Sequence, residues 1–181
     1  GNLVTARPAG IIDGIDLGHT GEVRRIDAEG IQQQLTSGNL VLLPPLGYSL
    51  TGEIFNLSAE SIATAVATRL QADKLIFIGQ SNENLPREIT IQQARDYEHP
   101  SLNAAVTACK AGVSRVHLLD RSVDGALLQE LFSRDGVGTL ISATSFETTR
   151  QANIDDVGGI LELMQPLEQS GVLVKRSREL L

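Results

Sequence analysis

Pro44-Pro45-Leu46-Gly47, followed by Gly52-Glu53-Ile54-Phe55-Asn56-Leu57-Ser58-Ala59-Glu60, is the stretch that decides the fold of this 181-residue chain. The apolar residues 40–43 leading into it have the composition of a strand, and Ile62, Ala63, Val66, Ala67 and Leu70 follow at helical spacing. The block reads as strand, glycine-bearing loop, short strand and helix. Ser58 stands where an N-cap accepts from the first free N–H groups, and Glu60 in the first turn gains from the helix dipole. The alternation continues downstream, with strands expected over 75–78, 116–119 and 139–141 and helices over 102–110 and 124–132. Upstream, residues 3–6 and 10–17 alternate short apolar runs with Gly and Asp, as antiparallel strands joined by turns do. Residues 23–26 form another short strand, and Asp27 and Gly38 are placed to start and end a helix over 28–35. The pattern predicts an α/β fold, a mainly parallel sheet in an αβα sandwich, with ligand sites at the carboxyl ends of the strands.

Residues 80–97 are the least regular, rich in Asn, Gln, Glu and Arg, and read as a surface excursion with a hairpin around 87–90 and a short helical turn. After residue 141 the character changes. Ser142-Ala143-Thr144-Ser145 has the small polar composition of a linker, and residues 149–153 suit one short strand. A helix follows, with Val157, Ile160, Leu161, Met164 and Leu167 on one face, Asn153 or Asp155 as its cap, a kink at Pro166 and Gly171 as its end. A second helix is expected from about Arg176, whose basic cluster with Lys175 and Arg178 reads as a solvated helix start. These features divide the chain into residues 1–143 and 144–181. A strand and a helix or two cannot bury enough surface to be stable alone, so the second part must pack on something else.

Composition excludes several classes. A net charge of −7 with scattered basic residues argues against nucleic acid, and the lack of Trp argues against a base-stacking platform. No apolar run reaches the ~20 residues of a membrane-spanning helix, and the start has no signal-peptide pattern, which together predict a cytoplasmic protein. The single Cys109 excludes an internal disulfide and reads as a small buried hydrophobe. His19, His99 and His117 have no spacing for a metal or a nucleophile triad, so no metal is expected. His117, in the apolar Val116-His117-Leu118-Leu119, is either a satisfied core histidine or one beside a ligand. Asn56-Leu57-Ser58 matches a glycosylation acceptor, which nothing else in the chain supports.

The opening block resembles the acetylglutamate kinase branch of the amino-acid kinase fold. That resemblance implies an amino-acid-binding role at Asn56 and a lysine-organising carboxylate at Glu60, where the kinases have Asp. Asp96-Tyr97-Glu98-His99-Pro100-Ser101 stands where the kinases have Gly-Gly-x-x-Pro-Lys, so Ser101 replaces the lysine. Leu75-Ile76-Phe77-Ile78-Gly79-Gln80-Ser81-Asn82 replaces a segment with a Thr-Asp pair beside the nucleotide. Phosphoryl transfer needs positioned positive charge on the developing anion. Ser101 among Asp96 and Glu98 does not supply it, so Asn56, Glu60 and Ser101 are expected to be vestigial.

Gly18-His19-Thr20-Gly21-Glu22-Val23-Arg24-Arg25-Ile26-Asp27, the run from Asp124 to Thr139 and that from Asp155 to Gln169 extend the likeness over essentially the entire chain. Together they resemble the bacterial N-acetylglutamate synthase family, in which an inactive kinase-like domain precedes a GNAT acetyltransferase domain. The resemblance implies acetyl transfer from acetyl-CoA to the amino group of L-glutamate, feedback inhibition by L-arginine, and homo-oligomers. It further implies that the chain lacks the N-terminal part of the kinase-like domain and holds only the first GNAT elements. The acetyl-CoA loop Arg/Gln-x-x-Gly-x-Gly/Ala does not occur, so no catalytic residue is expected here and the fragment is expected to be inactive. Arginine-sensitive relatives use the turn matching Asp135-Gly136-Val137-Gly138-Thr139, which nominates Asp135, Gly136 and Gly138, with His19 as a further lining residue. A tight turn needing glycine for geometry alone accounts for the same residues. Alternative functions are a non-catalytic amino-acid-binding or assembly module, or an acetylglutamate kinase.

Overall fold

The computed structural model describes residues 3–80, 84–133, 136–143 and 152–172, in two compact units, residues 1–146 and 147–181. The first unit opens with β1 (Val4–Pro8), the small antiparallel hairpin of β2 (Ile11–Ile12) and β3 (Ile15–Asp16), and β4 (Gly21–Ile26). Helix α1 (Ala28–Thr36) starts where Asp27 accepts a hydrogen bond from the Gly30 N–H at 3.1 Å, and Gly38 with φ +79° follows its end. The decisive stretch becomes β5 (Leu46–Tyr48), β6 (Ile54–Asn56) and α2 (Ala59–Leu70), capped by Ser58 as the sequence predicts. β7 (Lys74–Gly79), β8 (Glu88–Thr90), α3 (Leu102–Lys110), β9 (Arg115–Asp120), α4 (Ala126–Phe132) and β10 (Thr139–Ser142) complete the unit.

The strands form two four-stranded sheets ordered β4-β1-β5-β6 and β7-β9-β10-β8. The α/β class stands, but the sheets are mixed. β1–β5, β7–β9 and β8–β10 pair parallel, while β1–β4, β5–β6 and β9–β10 pair antiparallel. β9 and β10 are joined through residues 121–138, which carry α4.

Residues 40–43 are not a strand. Leu40 and Leu42 are 99% and 94% exposed while Val41 and Leu43 turn inward, so the extended alternation is present without a ladder. Pro44 and Pro45 lack the N–H donors that would extend pairing back from β5. The expected hairpin over 87–90 is a single strand, β8, lying parallel on β10, and the excursion is partly core because Ile89 and Ala94 are buried. The expected helical turn is a 3₁₀ turn over Gln93–Asp96.

Two apolar clusters hold the unit. Val4, Ala6, Ile26, Ile31, Phe55 and Ile62 form the first. Leu75, Phe77, Ile89, Ala105, Cys109, Val116, Leu118 and Ile141 belong to the second. Helix α2 reaches both through Ile62 and Ala67, which ties the sheets together. Along β9, Val116 and Leu118 pack with α3 residues while His117 meets α4, so this strand is covered on both faces as an αβα layering requires.

In the second unit, Asn153 and Asp156 form a capping box around a 3₁₀ turn (Ile154–Asp156) that leads into α5 (Val157–Gln169). The helix continues through Pro166, and Gly171 follows it with φ +76°. The strand expected over 149–153 falls mainly outside the described residues, as does the helix expected from Arg176.

Candidate functional site

The most concentrated polar chemistry lies where β9, α4 and the turn before β10 meet. The two-residue period of β9 sends His117 to the face opposite the α3 packing. On α4, Ala126 and Glu130 are one turn apart and both point inward, while Leu128 and Phe132 are exposed. The helix thus meets the sheet with a carboxylate instead of its leucines.

Glu130 Oε1 lies 2.6 Å from His117 Nδ1, with the two side chains 7% and 11% exposed. Its Oε2 accepts from the Val137 and Gly138 N–H groups at 2.8 and 2.9 Å. Burial pushes the Glu130 carboxyl up. Hydrogen bonds from Gly138, His117 and Val137 outweigh it and hold the group below the ordinary glutamate value. His117 Nε2 is buried with no hydrogen-bond partner among the described residues, so one face of this cluster keeps an unused polar atom.

The glycines are required by this geometry. Gly136 has φ +59°, and a Cβ there would overlap the Glu130 carboxylate. A Cβ on Gly138 would overlap Leu119 and the Leu118 carbonyl. The tight-turn account and the ligand account therefore meet in the same atoms: the turn is tight because it wraps a buried carboxylate. The arrangement concentrates a carboxylate at a turn whose glycines leave no side chain in its way.

The structure brings Gly136 and Gly138 together with Glu130 and His117. Asp135 lies outside the described residues. His19 sits in the turn before β4, its carbonyl accepting from the Asn56 N–H at 2.8 Å and its ring 6.2 Å from that of Phe55. Glu130 is the residue sequence reasoning missed. A usable signal existed: His117 in an apolar strand needs a partner, and Glu130 is the one acidic residue of α4.

The kinase-like positions are arranged differently. Asn56 is exposed at the end of β6, and Glu60 accepts from the Ser58 hydroxyl at 2.8 Å. Ser58 also caps α2 through the Ser61 N–H. Ser101 is buried at the start of α3, its N–H donating to His99 Nδ1 at 3.2 Å. No group of three metal-ligating side chains occurs among the described residues, and no described helix is long and apolar enough to cross a membrane. Cys109 is buried, donates to the Ile141 carbonyl, and burial raises its thiol above the ordinary value.

The family model described as "Amino acid kinase family" matches residues 1–120. The chain belongs to the amino acid kinase family. It is 53% identical to the amino-acid acetyltransferase of Azotobacter vinelandii, over all of this chain and 45% of that relative. The N-acetylglutamate synthase of Neisseria gonorrhoeae complexed with coenzyme A and L-arginine is 39% identical, with a TM-score of 0.82 over 98% of this chain and 44% of that one. The same enzyme complexed with coenzyme A and N-acetyl-glutamate gives 40% identity and a TM-score of 0.74, over 99% of this chain and 45% of that one. The resemblance to the bacterial synthases extends over the whole of this kinase-family chain, which spans less than half the length of those relatives.

Proposed function

We propose that these residues are the effector-sensing, kinase-like part of an N-acetylglutamate synthase, joined to the first elements of its acetyltransferase half. The whole-chain identity of 53% to an amino-acid acetyltransferase carries this assignment. The complete protein then transfers acetyl from acetyl-CoA to the amino group of L-glutamate, in the cytoplasm and as a homo-oligomer. These residues alone are inactive, because the loop that would hold the acetyl-CoA pyrophosphate does not occur in them. Phosphoryl transfer is not their task, since Ser101 replaces the cation that reaction needs.

Arginine is sensed at the turn around Gly136 and Gly138. The Glu130 carboxylate, held in its charged form, faces the guanidinium, and Asp135, adjacent to Gly136 in the sequence, is the second carboxylate assigned to it. In the tautomer whose Nδ1–H donates to the Glu130 carboxylate, the unpartnered His117 Nε2 is an acceptor for a ligand N–H. The complex that the N. gonorrhoeae synthase forms with L-arginine supports the choice of ligand.

Calorimetric titration of this chain separates the alternatives. Arginine gives saturable heat that Glu130→Gln abolishes while circular dichroism is unchanged, and acetyl-CoA gives none. Saturable ATP binding with phosphoryl transfer to N-acetylglutamate would instead establish a kinase.

A further inference from the structure

The two ring nitrogens of His117 have unequal surroundings. Nδ1 lies 2.6 Å from Glu130 Oε1, while Nε2 is buried with no hydrogen-bond partner among the described residues. An ionised carboxylate only accepts, so Nδ1 carries the proton of that contact. The ring then has two forms. When neutral it presents a lone pair at Nε2. When protonated it presents a second N–H there, and its charge cancels that of Glu130.

Few other charges bear on this choice. Cross-strand partners share a face of the sheet, so Glu88, Leu140, His117 and Ile76 form one row on the side that α4 covers. Leu140 separates Glu88 from the ring by two strand spacings, about 10 Å. Arg115 and its register partner Lys74 lie on the same face, about 7 Å along the strands. Glu88 and Arg115 have interactions of their own. Cys109 packs with Val116 and Leu118 under the opposite face. From α4 the charged residue is Glu130, and the Val137 and Gly138 N–H groups of the turn are committed to its Oε2.

We propose that the arginine site is proton-gated: the neutral His117 ring admits the guanidinium and the protonated ring rejects it. The inference rests on the arginine-sensing reading above. A protonated Nε2–H would face the ligand N–H groups donor to donor. It would also set a second cation beside the guanidinium while cancelling the carboxylate that attracts it. In a buried cluster, water does not relieve that conflict. Arginine and the Nε2 proton therefore exclude each other, and each weakens the binding of the other by the same factor. Binding expels the proton where the ring carries one, so affinity rises with pH until the ring is neutral and then levels.

Calorimetric titration of this chain with L-arginine from about pH 5.5 to about pH 8, the range in which imidazoles change charge, is the test. Glu130 stays ionised throughout, because its carboxyl is held below the ordinary glutamate value. The dissociation constant is expected to rise about tenfold per pH unit on the acid limb, with release of about one proton per arginine there. The proton is read from the dependence of the heat on the ionisation enthalpy of the buffer. His117→Asn keeps an N–H donor for Glu130 and removes the titrating ring, so it binds arginine more weakly at neutral pH and with no slope. Glu88→Gln keeps the natural slope. Ring nitrogen-15 resonances of His117 need no variant: at about pH 5.5, arginine converts the ring to its neutral form. A dissociation constant that does not change with pH in the natural chain overturns the inference and leaves the sensing reading standing, as does His117→Asn with the natural slope. Absence of arginine binding at every pH overturns the sensing reading, and the inference with it.

Discussion

Two inherited polar constellations sit in the first unit, and they differ in how far each side chain reaches for its partner. Around Glu130, groups 13 residues back and 7 and 8 residues ahead converge on one carboxylate, almost out of contact with water. Around Glu60, the partner is Ser58, two residues away and exposed. The first costs burial of charge, which a fold tolerates only when every oxygen is satisfied. The second is helix capping that any α/β protein could carry. The long-range, buried arrangement marks a candidate site more strongly than the motif that first draws the eye.

The largest expected effect comes from replacing Gly138. Gly138→Val drives a branched side chain into Leu119 and the Leu118 carbonyl and lowers stability by about 4 kcal/mol; thermal unfolding by circular dichroism reads this as a clear fall in midpoint. Glu130→Ala strands the Val137 and Gly138 N–H groups and His117, at a cost of about 3 kcal/mol in chemical denaturation. On the other side of the comparison, Ser58→Ala costs about 1 kcal/mol as the loss of a cap. Asn56→Ala stays within about 0.5 kcal/mol. Equal costs for Glu130→Ala and Asn56→Ala would erase the contrast between the two constellations.

Acid sharpens the same contrast. The Glu130 carboxyl is held below its unfolded value, so its contribution to stability is complete above the ordinary glutamate range and is lost as pH falls through the lowered folded value. The stability difference between the natural chain and Glu130→Gln is therefore flat at neutral pH and shrinks toward strong acid. A difference that grows on acidification would assign the wrong sign to the carboxyl.

Much of this was legible in the residues. Asp27, Gly38 and Ser58 mark helix ends by chemistry local to the chain, and α3 falls on the residues its apolar spacing indicates. The failures are all long-range. Residues 40–43 have strand composition but no strand partner among the described residues, and pairing is a property of two segments. β8 is short and opens on Glu88, so only its place beside β10 makes it a strand. Glu130 looks like the solvated face of a leucine-rich helix, and the buried His117 turns that face inward. Periodicity counts apolar residues and has no way to weigh one well-satisfied carboxylate against four exposed hydrophobes.

The amide resonances of Gly136 and Gly138 give the most direct reading of the central claim. Titration with L-arginine is predicted to shift both, saturably, in the natural chain and not in Glu130→Gln. Resonances at the turn that stay fixed in the natural chain up to millimolar arginine, or that move equally in the variant, would contradict the assignment of sensing to the buried Glu130 carboxylate.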